Sequence, residues 1–242
     1  MKVDKKPLAF RQELGKLKEE FKAKVKEVNV EEAEKLGQEL LTLIKGKNFD
    51  EKKKTDFDKA VELLYAGANV ESKTSTLTTK SKSPTEKTGL IVCAEEGFQK
   101  LFRAFLVAGA DINAVSNFGS TSLMWSARKG HKDILTDLIV LDADLNVQAK
   151  DGDCALHSAT RHKQAECVEL LIKAGCVLTL KNDKGETSYN LAVTSGDEKT
   201  IALFEEYLCL ETSNKQKKFC TLKDITSTFE EAEKELKQML SK

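Results

Sequence analysis

The chain has 242 residues, and its 39 basic and 39 acidic side chains give a formal net charge of zero at pH 7. That balance excludes the bulk positive field with which proteins bind nucleic acid or anionic membranes non-specifically. With 40% hydrophobic residues and only 2 prolines and 13 glycines, the composition favours a folded and mainly helical protein. No apolar run approaches the roughly 20 residues that cross a bilayer, so no membrane span is expected.

The cysteines indicate neither a redox motif nor a metal site. None of the 6 cysteines lies in a C-x-x-C pair, and the 3 histidines are scattered, so the ligand spacing of zinc sites is missing. An even number is compatible with disulfides, but several fall at apolar positions where a small buried thiol fits. We expect reduced thiols, a cytoplasmic location, no metal and no cofactor.

Two amphipathic helices are predicted before residue 50. Apolar residues recur at helical spacing from Leu8 to Val28 and again from Glu31 to Ile44, and Gly46 is placed to end the second helix. We assign both helices to an N-terminal helical flank or cap, residues 1–50.

In the following region, residues 51–208, glycines and apolar residues recur with a period of 33 residues. One period superposes glycines at three positions, Gly119, Gly152 and Gly185. A period in this range indicates a unit that buries its apolar face by stacking on copies of itself. We predict a solenoid with a degenerate first repeat at 51–71 and further repeats at about 88–115, 116–148, 149–181 and 182–208.

A polar segment, residues 72–87, adds nine residues to the spacing between the first two repeats. It has too few apolar residues to pack a core of its own, so we interpret it as an inserted flexible loop. A loop that contacts a partner, or that is phosphorylated near Ser83-Pro84, is the alternative.

Each unit is predicted to hold two short antiparallel helices. In one unit, Thr121 to Lys129 forms the first helix and Lys132 to Val140 the second. Thr121 can cap the first helix through its hydroxyl, and Gly130 suits a left-handed exit. Asp142 and Lys163 stand where other units carry glycine. Aspartate is among the few residues that tolerate a left-handed conformation, whereas Lys163 predicts an unusual turn between the two helices of its unit.

The recurring marks resemble those of the ankyrin repeat. They are Thr121-Ser122-Leu123, Ala155-Leu156-His157-Ser158-Ala159 and Gly109-Ala110-Asp111-Ile112-Asn113. The resemblance implies an all-α solenoid of helix-turn-helix units with β-hairpin fingers, flanked by N- and C-terminal amphipathic helices. The function it implies is that of a non-catalytic adaptor or scaffold, which binds a partner protein on the concave surface.

The resemblance also indicates which residues contact the partner. They lie at finger tips and at the exposed ends of first helices: Asn117, Phe118, Ser120, Arg128, Lys129, Lys150, Asp151, Asp153, Arg161, His162, Asp183, Lys184, Glu186, Thr194 and Ser195.

Among these, Phe118 is the favoured anchor, because an aromatic residue at a finger tip has little core to enter. Trp125 on a first helix is expected to pack between repeats, with an exposed binding anchor as the alternative. A basic ridge is expected at Arg128, Lys129, Lys150 and Arg161, interrupted by Asp151 and Asp153, and it favours an acidic patch on the partner.

No pattern for catalysis is present. The sequence has no glycine-rich phosphate loop and no clustered carboxylates. His131 and His157 occupy positions where the ankyrin family has structural histidines, whereas a contact role and simple solvation are equally open for His162. We therefore expect a protein that is not an enzyme.

The C-terminal segment, residues 209–242, contains the clearest amphipathic pattern of the chain. Apolar residues from Leu222 to Met239 alternate three and four apart, and Thr221 is placed to cap this helix. A helical cap on the end of the solenoid is expected. A helix that recruits a partner, dimerises the protein or lies in a membrane plane is the alternative.

Two other roles stay open beside the adaptor, for which a monomer is favoured. Asn113 and Asn146 resemble the asparagines of ankyrin repeats that are hydroxylated in some organisms, so the protein is a candidate hydroxylation substrate. The lysine-rich repeats with helical flanks also resemble effectors that intracellular bacteria deliver into host cells.

Overall fold

The computed structural model describes residues 5–46, 49–76 and 85–215. Within those residues it contains eleven α-helices and one two-stranded sheet. In chain order these are α1 Lys5–Lys24, α2 Val30–Ile44, α3 Lys54–Tyr65, β1 Lys73–Thr76, β2 Thr85–Thr88, α4 Gly89–Glu96, α5 Gln99–Val107, α6 Ser122–Lys129, α7 Lys132–Val140, α8 Ala155–Arg161, α9 Ala165–Lys173, α10 Ser188–Ser195 and α11 Glu198–Lys215.

The helices form two stacked layers. In the inner layer α4, α6, α8 and α10 pack one on the next, and in the outer layer α3, α5, α7, α9 and α11 do the same. Each inner helix also packs on the outer helix that follows it in the chain. The inner helices approach each other more closely than the outer ones, so the stack curves towards the inner side. The predicted all-α solenoid is confirmed.

Apolar residues that recur with the 33-residue period fill the space between the two layers. Their side chains are almost completely buried at corresponding positions of successive outer helices: Phe102, Phe105, Leu135, Leu138, Val168, Leu171 and Phe204. Burial of each such side chain contributes about 1.5–3 kcal/mol of transfer free energy, so the same positions hold every repeat to its neighbours.

Threonine caps and left-handed turns define the inner helices. The hydroxyls of Thr121 and Thr187 accept hydrogen bonds from backbone N–H groups three residues on, and this satisfies donors that a helix start leaves unpaired. The cap at Thr121 was predicted. Gly130 ends α6 with φ of 79°. Asp142 adopts the left-handed conformation that aspartate tolerates, with φ of 58°, and the turn predicted to be unusual at Lys163 has φ of 55°.

The finger segments between repeats differ in how much β structure they contain. The first finger is an antiparallel hairpin in which Lys73 pairs with Thr88 and Thr76 with Thr85. The next finger contains a single bridge between Val115 and Thr121. The loop predicted at 72–87 is thus shorter than expected, because its threonine-rich ends form β1 and β2. The proposed phosphorylation position near Ser83 lies outside the described residues.

Helix α2 is packed as the inner partner of α3. It contacts both α3 and α4, and Glu34 accepts hydrogen bonds from Asn69 and Ser72 in the segment after α3, at 2.8 and 2.9 Å. A side chain at Gly37 would collide with Ser72, so the glycine permits this close approach. We therefore propose that the first repeat begins at α2 rather than near residue 51.

Helix α1 lies across the outer layer, where it packs on α5. Arg11 donates to the carbonyl oxygen of Val140 at 2.5 Å and forms an ion pair with Asp142, while the rings of Phe21 and Tyr65 stack at 4.8 Å.

The predicted C-terminal helix, Leu222 to Met239, lies outside the described residues. None of the described helices is both long and apolar enough to cross a membrane.

Candidate functional site

Trp125 lies half-buried on α6, with cationic groups near its ring. The Nζ atom of Lys87, from β2, is 3.6 Å from the ring centroid, and the Cζ atom of Arg128 is 5.2 Å from it. Lys87 also forms an ion pair with Glu95 of α4. Cations at these distances are attracted by the negative face of the indole, so Trp125 joins a finger and two inner helices in one cluster.

Arg128 and His162 connect this cluster to the next repeat. The Nε atom of Arg128 donates to the Nε2 atom of His162 at 3.1 Å, and Nδ1 of His162 lies 3.0 Å from the carbonyl oxygen of Ser158. A carbonyl oxygen only accepts, so Nδ1 carries the proton and Nε2 provides the lone pair. His162 is therefore placed as the hydrogen-bond acceptor that fixes the guanidinium of Arg128.

Arg161 does not extend the basic ridge predicted from the sequence. Its guanidinium donates three hydrogen bonds to Asp153, between 2.9 and 3.2 Å. Asp153 also accepts from the amide of Asn182 at 2.9 Å. The charge of Arg161 is thus neutralised within its own repeat, and the ridge is corrected to Arg128, Lys129 and the exposed Lys150.

The finger tips present one large apolar side chain. Phe118 is 40% exposed, and its carbonyl oxygen accepts from the backbone N–H of Lys150 at 3.0 Å. Asn117 faces the neighbouring finger, because its Oδ1 accepts from the N–H of Glu86 at 3.1 Å. Ser120 is half-buried. Phe118 is available for contact, whereas Asn117 holds two fingers together.

The remaining predicted contact residues differ in exposure. Those exposed are Lys129, Lys150, Asp151, Asp183, Lys184, Thr194 and Ser195. Glu186 is half-buried, and its carboxylate accepts from the amide of Asn182 at 3.1 Å. The exposed members follow the finger tips and the ends of the inner helices, so the structure places them along one side of the stack.

His157 and His131 have structural surroundings. His157 is fully buried, with Nδ1 3.0 Å from the thiol of Cys154 and Nε2 3.1 Å from the carbonyl oxygen of Glu186. Burial opposes ionisation of both groups, yet their hydrogen bond leaves the pKa of Cys154 lowered and the pKa of His157 raised. His131 Nε2 lies 3.0 Å from the carbonyl oxygen of Glu95, which ties α7 to the repeat before it.

The two candidate hydroxylation sites, Asn113 and Asn146, link successive repeats. Their Oδ1 atoms accept backbone hydrogen bonds from Asp144 at 3.0 Å and from Val177 at 2.8 Å. No cluster of His, Cys, Asp or Glu among the described residues could hold a metal ion. The four cysteines whose side chains are described are buried free thiols, Cys93, Cys154, Cys167 and Cys176.

Comparison with known protein families decides what these repeats are. The family model for ankyrin repeats, which represents three copies, matches residues 52–149 and 124–214. The chain belongs to the ankyrin-repeat family. No curated protein matches it. The two matched ranges together cover about two thirds of the chain, from α3 almost to the end of α11.

The ankyrin period places two further residues, Lys87 and Glu95, at positions that correspond to predicted contact residues. Lys87 lies one period before Ser120, and Glu95 lies one period before Arg128, so both belong to series already assigned to the partner surface. Lys87 was missed because residues 72–87 were treated as an insertion outside the repeats, whereas Glu95 lies within the repeat at about 88–115, where the period alone identifies its position. In the array they complete the Trp125 cluster, and we define the concave surface as the fingers together with the exposed faces of α4, α6, α8 and α10.

Proposed function

We propose that this chain is a non-catalytic adaptor that binds a partner protein on the concave surface of its ankyrin array. The cluster of Trp125, Lys87 and Arg128 is the observation that carries the proposal. Ankyrin repeats are interaction modules, and this cluster is the point of the array where an aromatic residue and two cations converge.

The composition of the cluster is that of an interface hot spot. Tryptophan and arginine are the residues most enriched among those that dominate binding energy. Trp125 provides a half-buried aromatic ring, and Arg128 provides donors that match carboxylate or carbonyl groups. Phe118, on the finger that precedes α6, adds an aromatic residue that is 40% exposed, so two aromatic residues lie on neighbouring structural elements.

Preorganisation supports the same conclusion. The hydrogen bond that Arg128 donates to His162 and the contact of its guanidinium with the ring of Trp125 restrain Arg128 before any partner arrives. Side chains that are already ordered lose less conformational entropy on binding, which would otherwise cost about 0.5–1.5 kcal/mol for each. The regularly packed inner helices hold these residues at a fixed spacing.

The thiol and imidazole of Cys154 and His157 do not support a catalytic alternative. Both side chains are at most 1% exposed, and the second nitrogen of His157 is bonded to the backbone of the next repeat. A nucleophile has to reach its substrate, so this pair is assigned a role in stability. The proposed adaptor acts as a monomer in the cytoplasm.

The two other roles stay predictions. Hydroxylation of Asn113 or Asn146 is decided by intact-mass and fragment-mass measurement of protein isolated from its native cells. A host-directed effector role is decided by whether the protein is found inside host cells. No contact in the array favours either role over the adaptor.

An affinity capture experiment tests the proposal. The full chain and a Phe118→Ala/Arg128→Glu variant are immobilised and exposed to a lysate of the native cells, after circular dichroism shows equal helicity. A Lys59→Glu/Val177→Ala variant is the control, because it makes the same types of change at two exposed residues outside the cluster.

We expect one protein to be captured by the wild type and by the control variant, and to be lost from the Phe118→Ala/Arg128→Glu variant. Equal capture by all three chains would place the binding elsewhere and overturn the proposal. Failure of the wild type to retain any protein would also count against it.

A further inference from the structure

We propose that the partner presents an acidic segment, rich in glutamate or aspartate, which docks at the central basic site formed by Arg128 and Lys129. This inference rests on the proposed function, since it names the chemistry of the partner at the same concave surface. The segment is recognised by its carboxylates rather than by a particular fold.

The charges at the ends of the inner helices are distributed unevenly. Helix α6 ends with Arg128 and Lys129, and His162 and Lys163 follow the end of α8. Of the neighbouring acidic side chains, Glu95 pairs with Lys87 and Asp153 pairs with Arg161, whereas Asp151 on the finger is exposed. Within the part of the chain that the structure describes, neither Arg128 nor Lys129 forms an ion pair, so their charges are available to an anionic ligand.

Basic residues at helix ends also offset the partial negative charge of the helix dipole. That role does not account for this pattern, since α4 ends with Glu95 and Glu96, and α10 with Thr194 and Ser195. Compensation of the dipole would be needed equally in all four inner helices. The basic residues are instead confined to the two central ones, which is what a local anionic ligand requires.

The guanidinium of Arg128 is arranged for a carboxylate. Its Nε atom is used by His162 at 3.1 Å, and neither terminal amino group has a partner among the described residues. Those two groups are free to donate in parallel to an incoming carboxylate, a geometry that lysine cannot offer. The guanidinium also lies near the Trp125 ring, with its Cζ atom 5.2 Å from the ring centroid.

Trp125 provides a direct test, because it is the only tryptophan of the chain. A blocked octaglutamate peptide is titrated into the full chain at about 50 mM salt, where screening is weak, and Trp125 emission is recorded. We expect a saturable change in emission. Arg128→Gln/Lys129→Gln should weaken the affinity by about tenfold or more, as expected for charged residues at the centre of an interface.

The control variant is Lys54→Gln/Lys59→Gln, which removes the same charge from exposed positions of α3 and should leave the affinity unchanged. A saturable response that is lost only in the central variant supports the proposal. An equal loss in both variants, or no loss in either, would overturn the assignment to this site. An octathymidine oligonucleotide that binds as tightly as octaglutamate would overturn an acidic protein segment as the ligand.

The two proposals fail in different ways. If octaglutamate gives no saturable response while capture still depends on Phe118 and Arg128, the acidic segment is excluded and the concave binding surface stands. If capture also fails, both proposals are overturned together.

Discussion

The guanidinium of Arg103 holds the carboxylate of Asp137 by two parallel hydrogen bonds, Nε to Oδ2 at 2.7 Å and Nη2 to Oδ1 at 2.8 Å. Gln99 donates a third to the same carboxylate at 3.1 Å. Asp137 is 6% exposed and lies on α7, whereas both donors lie on α5. A buried carboxylate is tolerated only when its oxygens are bonded, so this contact joins two outer helices.

Loss of the Asp137 charge is expected to destabilise the array. Asp137→Asn replaces an acceptor oxygen by an amide that faces the donors of Arg103, and it should lower the free energy of unfolding by about 2 kcal/mol. Urea unfolding followed by circular dichroism measures the change. Asp133→Asn, at an exposed position of the same helix, should stay within about 0.5 kcal/mol. Equal effects of the two substitutions would show that the ion pair contributes nothing specific.

Lys163 offers a stabilising substitution, because it adopts φ of 55° at a position where α6 and α10 are followed by glycine. Lys163→Gly should raise the free energy of unfolding by about 1 kcal/mol, since a Cβ atom is disfavoured in this conformation. Lys163→Ala removes the same charged group but keeps the Cβ atom, so it should give no such gain. Thermal unfolding compares the three chains, and equal gains from alanine and glycine would exclude backbone strain as the cause.

Ser122 is a second position for stabilisation. Its hydroxyl is buried without a hydrogen-bond partner among the described residues, and it is the first residue of α6, where an N–H is not needed. The preceding Thr121 has φ of −93° and ψ of 169°, which a following proline permits.

Ser122→Pro should therefore add about 0.5–1 kcal/mol to the free energy of unfolding, chiefly by restricting the unfolded chain. Ser122→Ala removes the unpaired hydroxyl alone and separates that contribution from the effect of the ring. Urea midpoints give the comparison. A proline variant less stable than the wild type would show that the first turn of α6 cannot hold the ring.

Because of Glu34, the stability of the first repeat should depend on pH. Hydrogen bonds from Gln38, Asn69 and Ser72 lower its pKa in the folded protein. A carboxyl with a lowered folded pKa stabilises the protein above its unfolded pKa of about 4.3, and this contribution disappears as the pH falls through the folded value.

The difference in unfolding free energy between the wild type and Glu34→Gln should therefore be larger at pH 7 than at pH 3. Glu39→Gln, on the same helix but exposed, serves as the control and should show no comparable change with pH. A difference that stays constant between the two pH values would argue against the hydrogen-bonded carboxylate.

The repeats were predictable because each depends on contacts that recur with one period. Apolar positions such as Phe105 and Leu138 predict the outer helices, and Thr121 and Gly130 predict where α6 begins and ends. The role proposed for α2 could not be seen in the same way. Nine residues separate α2 from α3, whereas two separate α4 from α5, so α2 falls outside the period although it packs as an inner helix.

The position of the candidate site could be predicted from the sequence, but which of its arginines is neutralised could not. The period places Arg128, Arg161 and Thr194 in one series, and the sequence alone treats both arginines as available. Which of them is neutralised depends on Asp153, whose carboxylate lies within reach of Arg161 but not of Arg128. That outcome is decided by side-chain conformations and by Asn182, which the repeat pattern does not specify.

The asparagine links also limit how this array can grow. Asn113 and Asn146 each bond to the loop of the next repeat, but Thr179 stands at the following position, and α11 continues to Lys215 where earlier outer helices have ended. A duplicated unit inserted after residue 148 would find matching loops on both sides. The same unit inserted after residue 208 would follow a repeat that carries Thr179 in place of the asparagine. It would also interrupt α11 rather than follow a loop.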